Sequence, residues 1–345
     1  MRLLRKFLVF IGVGSLLFLA YHYDSVIYGI QQGAGQVKVL WNAEEISDLI
    51  QDPTFPDSTK EKFKYIAAVK AWAEGNIGLT KTNNYTTYYE QYNKPILWVV
   101  TASPEFKIEA YEWDFPIAGG FPYKGFWDIE KAKKEELRMK ELGYDTELDE
   151  VNAWSTLGWF RDPILSSMLN RDAGRLAELI IHESTHATLY VKDSVEFNEN
   201  LASFIGKAGA ELFLKSHFGD TSKEFIQYAE LNQRKTFFKN YMRNEIDWLN
   251  EQYSQMDSNQ AIEKKRKLKS EWIDKIKMGL YSLPYQIDSS ALELRLDTMT
   301  YNNAYFSGFA TYADDLPKLQ QQLKKEFGGD LKEMVTSFKQ KYKSL

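Results

Sequence analysis

From Leu176 to Tyr190 the chain reads Leu-Ala-Glu-Leu-Ile-Ile-His-Glu-Ser-Thr-His-Ala-Thr-Leu-Tyr, and no other stretch constrains the fold as much. Inside it sits His182-Glu183-x-x-His186, which reads as a helix carrying two zinc ligands and a carboxylate general base. At about 100° per residue, His182 and His186 fall roughly 40° apart on one helix face, with Glu183 beside them. Two imidazoles one turn apart can share a metal ion. A carboxylate on the flank reaches the water on that metal without binding the metal. The sequence predicts that this helix is capped at Asn170 or Asp172 and runs to about Val191.

A catalytic zinc site takes three protein ligands and leaves one position for water. The chain has no cysteine and only four histidines, His22, His182, His186 and His217. The absence of cysteine removes disulfides, thiolate ligands and cysteine nucleophiles. A third histidine six residues after His186, as metzincins require, is replaced by Lys192. His217 falls at the far end of the next predicted helix, where a surface role fits it better. Carboxylates remain: Glu196, Glu199 and Glu211 on the helix predicted from Val195 to Ser216. Glu199, within Phe197-Asn198-Glu199-Asn200-Leu201-Ala202, is the choice for the third ligand. Glu196 is the reserve, because it lies nearer the helix start and would complement the helix dipole.

The rest of the chain supplies the frame. Arg2, Arg5 and Lys6 precede an apolar run from Phe7 to about Tyr23, so residues 1–27 read as a signal anchor or signal peptide and residues 28–345 as the functional domain. The basic flank would keep the N-terminus in the cytoplasm and place the rest outside it. Helices are predicted over Gln36–Leu49, Asp57–Ala73 and Asp128–Leu142, the last stopped by Gly143. Ile96–Thr101 and Phe106–Phe115 read as an antiparallel pair across Ser103-Pro104-Glu105, with an edge that could hold an extended peptide. Val151–Phe160 reads as a strand or tight loop near the site. Ser222–Gln252 and Asn259–Tyr281 form a predicted helical hairpin, at about 222–283, and three further helices cover Thr298–Ala310, Asp315–Phe327 and Asp330–Lys341.

A net charge of −5 leaves no basic field to favour nucleic acid, while 44% hydrophobic and 15% aromatic residues supply a sizeable core.

The zinc motif, a short connection and then Asn198-Glu199-x-x-Ala202 on a second helix resemble the gluzincin clan of zinc peptidases over these two helices, with a shorter gap. Over nearly its whole length the chain resembles a bacterial family described as putative aminopeptidases, often membrane-associated or exported. The likeness runs through Gln32-Gly33-Ala34-Gly35-Gln36, Phe115-Pro116-Ile117 to Tyr123-Lys124-Gly125, Ala153-Trp154-Ser155-Thr156-Leu157-Gly158, the zinc motif, Phe197-Asn198-Glu199 and Asn302-Asn303-Ala304. Many members carry a lipid-attachment cysteine, which this chain lacks.

The expected fold is α+β and predominantly α-helical, with a zincin-like catalytic core, a small antiparallel sheet and a long helical hairpin. The expected function is zinc-dependent peptide-bond hydrolysis by an aminopeptidase, with endopeptidase action left open. One Zn²⁺ sits on His182, His186 and Glu199, and Glu183 serves as base. The expected setting is the bacterial cell envelope, anchored at the inner membrane with the domain on the extracytoplasmic side, or exported. Candidates around the site are Tyr123, Tyr301 and Tyr305 for an oxyanion, Ser203 as a supporting group, and Asn302 and Asn303 for substrate. The competing expectation is a membrane-anchored non-catalytic scaffold whose hairpin binds a partner and whose histidines are structural.

Overall fold

Polar side chains decide where the first helices stop. The structure, a computed structural model, describes residues 6, 10, 21–115, 119–151, 160–192, 194–284, 299–311 and 316–342. Most of the predicted anchor and most of Val151–Phe160 lie outside these residues. Helix α1 (Tyr23–Trp41) is followed by strand β1 (Glu44–Glu45) and helix α2 (Ile46–Gln51). The single helix expected over Gln36–Leu49 is therefore divided. Asn42 donates its side-chain amide to the Lys38 carbonyl at 2.7 Å, taking up one of the last acceptors of α1. Among the described residues no helix is long and apolar enough to cross a membrane. Helix α3 (Asp57–Asn76) begins directly after Pro56 and buries Phe63, Ile66, Val69 and Ala73, a stripe at helical spacing.

The strands are β2 (Thr87–Tyr89), β3 (Leu97–Pro104), β4 (Trp113–Phe115), β5 (Gly119–Phe121) and β6 (Lys124–Phe126). Helix α4 (Ile129–Glu141) and strands β7 (Tyr144–Val151) and β8 (Ile164–Leu165) complete this half. They form a mixed sheet β1-β2-β8, an antiparallel sheet β6-β3-β7 and a β4-β5 ribbon. The expected pairing of Ile96–Thr101 with Phe106–Phe115 does not occur. Val100 lies between Lys124 of β6 and Leu148 of β7, so β3 is the central strand of its sheet and has no free edge over Trp98–Val100. Residues 105–112 loop instead: Ser103 Oγ donates to the Lys107 carbonyl at 2.9 Å and accepts from the Glu109 amide at 3.2 Å. Their alternating pattern has another origin, because Ile108 and Trp113 are buried in two different clusters. Helix α4 is capped by Asp128, which accepts from the Glu130 and Lys131 amides, and ends at Gly143 with φ +86°.

Among the described residues seven α-helices follow: α5 (Ala173–His186), α6 (Val195–Phe218), α7 (Lys223–Ser254), α8 (Ile262–Gly279), α9 (Asn303–Thr311), α10 (Leu316–Glu326) and α11 (Leu331–Lys341). The molecule is α+β and mostly helical. Helices α7 and α8 run antiparallel and share a core of Met242, Ile246, Leu249 and Tyr253 with Ile273, Ile276 and Leu280. Helix α9 starts at Asn303, later than the expected Thr298, which lies outside the described residues. The largest cluster joins α3, α5, α6, α10 and α11, and it is this core that holds the motif helix in place.

Candidate metal centre

Helix α5 starts where the Asp172 carboxylate accepts from the Arg175 amide at 2.8 Å. It buries Leu176, Ala177, Ile180 and Ile181, leaving His182 and Glu183 half-buried on the other side. It ends at His186, short of the expected Val191. Hydroxyls supply the reason, since they offer the backbone alternative partners. Ser184 Oγ donates to the Ile180 carbonyl, Thr185 Oγ1 to Ile181 and Thr188 Oγ1 to Ser184. Thr188 also accepts from the Thr80 amide, which ties the end of the motif to the loop after α3.

The chain then turns through a clasp. Asn198 donates its side-chain amide to the Val191 carbonyl at 2.8 Å and accepts from the Val191 amide at 2.8 Å. This side chain is buried and fixes the start of α6 against the end of α5. Two glycines let the helices touch. A Cβ on Gly206 would stand 3.0 Å from the Glu178 carbonyl oxygen and 3.1 Å from His182 Cβ; one on Gly209 would stand 3.0 Å from Ile181 Cγ2. Glu199 follows Asn198 directly and is carried to the two imidazoles.

Three groups converge there. His182 Nε2 and His186 Nε2 are 3.1 Å apart, Glu199 Oε1 is 3.3 Å from His186 Nε2, and Glu199 Oε2 is 3.5 Å from His182 Nε2. One ligand atom from each lies within 4.8 Å of the others. Nitrogen and oxygen ligands held at about 2.0–2.2 Å around a tetrahedral ion stand roughly 3.3–3.6 Å from one another. The residues therefore fit a zinc-sized cation, with both histidines offering Nε2. The other ring nitrogen of His186, Nδ1, is buried with no hydrogen-bond partner among the described residues.

The electrostatics match a cation. Burial works against ionised Glu199, but the hydrogen bonds from His182 and His186 outweigh it and hold the carboxyl well below the usual carboxylate range. Burial would lower His182; the hydrogen bond it donates to Glu199, followed by the charge of Glu183, raises it. Glu183 also acts on Tyr85, whose hydroxyl is pushed up first by burial and then by Glu183. Tyr85 is fully enclosed, its hydroxyl lacks a partner among the described residues, and its φ of +61° is strained for a tyrosine. The Tyr85 amide donates to the Asp162 carbonyl at 2.7 Å, which holds the residue there.

A scan of family models matches residues 27–344 to the family described as "Putative aminopeptidase". The chain belongs to this family. No curated protein and no solved structure matches the chain.

Within this member of the family the remaining sequence candidates fall into two groups. A cavity of about 910 Å³ opens beside Glu199, and Glu196 and Tyr123 line it. The others lie away from it. Glu211 pairs with Lys215 at 2.9 Å, and His217 is an exposed ring stacked on Phe213. Tyr301 and Tyr305 are buried in the α7–α8 cluster. Asn302 donates to the Thr146 carbonyl and accepts from the Tyr305 amide, and fully buried Asn303 binds the Pro104 and Glu105 carbonyls and the Tyr253 hydroxyl. Both asparagines join α9 to β7 or to the β3 end, so they hold backbone rather than substrate. Ser203 is half-buried one turn after Glu199. Sequence reasoning missed the parts played by Gly206 and Tyr85, and it met Asn198 only inside the Asn198-Glu199-x-x-Ala202 pattern, without the clasp to Val191. Gly206 left a signal as one of the small residues Ala202, Gly206, Ala208, Gly209 and Ala210 on α6.

Proposed function

We propose that the protein is a zinc-dependent peptidase of the aminopeptidase type, with His182, His186 and Glu199 holding one ion. The observation that carries this reading is the convergence of those three side chains at separations of 3.1–3.5 Å. Two helices in zincin-like juxtaposition deliver the ligands, as in the gluzincin pattern. Zinc bound there supplies a Lewis acid that polarises a carbonyl and brings the pKa of water to about 7.

The protein's own groups do the rest. Glu183 is beside His182 in the chain but is not one of the three converging groups. Its carboxylate takes a proton from the attacking water and passes it to the leaving amine nitrogen, so that the amine departs neutral. Burial of His186 and partial burial of His182 and Glu199 exclude bulk water from the ligand side and strengthen each charge interaction there. Peptide reaches the site through the cavity beside Glu199. On the same reading the N-terminal run Phe7–Tyr23 anchors the chain at the inner membrane and leaves the domain outside the cytoplasm.

The test is metal analysis of the full chain, purified in neutral detergent without chelator, together with cleavage of short peptides with free and acetylated amino termini. One zinc per chain is expected, with hydrolysis of the free-amine peptides that chelator removes and zinc restores. Glu199→Ala should lower the zinc stoichiometry. Zinc-loaded protein that cleaves no peptide, or unchanged zinc binding in Glu199→Ala, would overturn the reading or its ligand set.

A further inference from the structure

The cavity beside Glu199 has a one-sided charge. Its walls are the end of β3 with the loop 105–112, β5 with Pro122 and Tyr123 after it, Tyr144, and the first turn of α6. Among the described residues four carboxylates line it, those of Glu109, Glu112, Glu196 and Glu199, and no lysine, arginine or histidine does. The whole chain carries 43 basic against 48 acidic residues, so composition alone does not produce such a lining. Glu109 is paired with Lys107 and Glu199 with the two histidines, whereas Glu112 and Glu196 form no ion pair among the described residues. The α6 start is not closed by its own cap, since Ser194 makes no side-chain cap hydrogen bond.

Glu196 and Glu199 are three residues apart on one helix, which places their Cβ atoms about 5–6 Å apart on one face. A group held by Glu196 therefore sits one helical turn from the metal ligands. The remaining wall carries aromatic rings, Tyr111, Phe121, Tyr123 and Tyr144, among small and aliphatic residues. Ring faces attract cations, and a cleft of one sign with low-dielectric walls concentrates ligands of the opposite sign. About 910 Å³ lies at the upper end of the roughly 300–1,000 Å³ typical of ligand pockets.

We propose that this cavity is the substrate pocket and that Glu196 and Glu112 are its specificity-determining residues, selecting peptides that present an ammonium or guanidinium group next to the metal centre. The inference rests on the peptidase reading but names what that site accepts. The cation has two possible sources, the free amino terminus and a lysine or arginine side chain, and the chemistry that recognises them is shared. Neutral and acidic peptides meet unpaired carboxylates and are disfavoured.

Four peptides labelled with an uncharged fluorophore at the C-terminal amide distinguish the sources: free or acetylated amino terminus, combined with lysine or norleucine as the first side chain. Their binding to full-length, zinc-loaded Glu183→Gln is read by fluorescence anisotropy, so that recognition is measured without turnover. Removing the decisive charge should weaken binding about fivefold, with acetylation decisive if the terminus is read and norleucine decisive if the side chain is read. Adding Glu196→Gln or Glu112→Gln should weaken the charged peptides by a similar factor and leave the acetyl-norleucine peptide unchanged. Equal binding of all four peptides, binding of none, or an equal loss across the set in both double variants would overturn the proposal. Charge-selective binding by a protein that hydrolyses nothing would leave the pocket standing and remove the peptidase reading. Hydrolysis without charge selection would do the reverse.

Discussion

Gly206 lies against His182 so closely that a methyl group on it would stand 3.1 Å from His182 Cβ and 3.0 Å from the Glu178 carbonyl. The contact sets how near α6 comes to α5, and so how near Glu199 comes to the imidazoles. Gly206→Ala should gain about 0.5–1 kcal/mol in helix propensity, offset by the displacement it forces. Gly206→Leu adds an overpacking cost of about 1–3 kcal/mol. Both variants should lose zinc affinity, the leucine variant with a clear fall in Tm as well. Competition with a chromophoric chelator and a thermal melt read the two effects. Parental affinity in Gly206→Leu would show that the helix approach does not govern the site.

Removal of the base should separate metal binding from chemistry. Glu183→Gln keeps the size of the side chain and none of the three converging groups is altered, so zinc content should stay at the parental level. Hydrolysis should fall by about 10²–10⁴-fold. Activity within twofold of the parent, at equal zinc content, would exclude Glu183 as the proton acceptor.

The clasp at Asn198 should matter for both stability and metal. Asn198→Ala leaves the amide and carbonyl of half-buried Val191 without their partners, a cost of about 1–2 kcal/mol. It also frees the start of α6, so zinc affinity should drop although no ligand has changed. Chemical denaturation and zinc titration check this, and a variant that is less stable but binds zinc as tightly would confine Asn198 to a structural role.

A pH effect should arise on β7, from a carboxyl that is not one of the three converging groups. Burial, then the neighbouring charge of Asp149, pushes Glu147 up to about 7. A raised folded-state value means that the folded protein holds a proton which the unfolded chain releases near pH 4.5. The stabilising contribution is therefore complete below about pH 4.5 and is lost as pH rises through about 7. Glu147→Gln should raise Tm at pH 8 relative to the parent and flatten the decline between those values. A parallel shift at all pH values would trace the dependence to other groups.

Some of this was legible in residue order and some was not, and particular elements show why. Asp128, Asp172 and Asp330 signalled helix starts because a cap acts on amides two or three residues away. Strand β7 passed unnoticed, since Asp145, Glu147, Asp149 and Glu150 make it look like solvent-facing loop. Its partner β3 lies at least forty residues earlier, and no local pattern announces that pairing. Conversely, the alternation over 107–114 imitated a strand because two separate cores each bury one of its residues.

The sequence alone determined the relation among His182, Glu183 and His186, because the pitch of an α-helix places residues i and i+4 on one face wherever the helix lies. It also narrowed the third ligand to a few carboxylates by leaving no cysteine and no further suitable histidine. Tertiary structure brought one of them, Glu199, to the two imidazoles. Glu196 and Glu199 differ by three residues, and which of them reaches the imidazoles is set by the angle and distance at which α6 meets α5. Those depend on Gly206, Gly209 and the Asn198 clasp acting between helices. The acidic cavity is likewise a property of the fold, since its carboxylates come from a loop and a helix some ninety residues apart that only packing brings face to face.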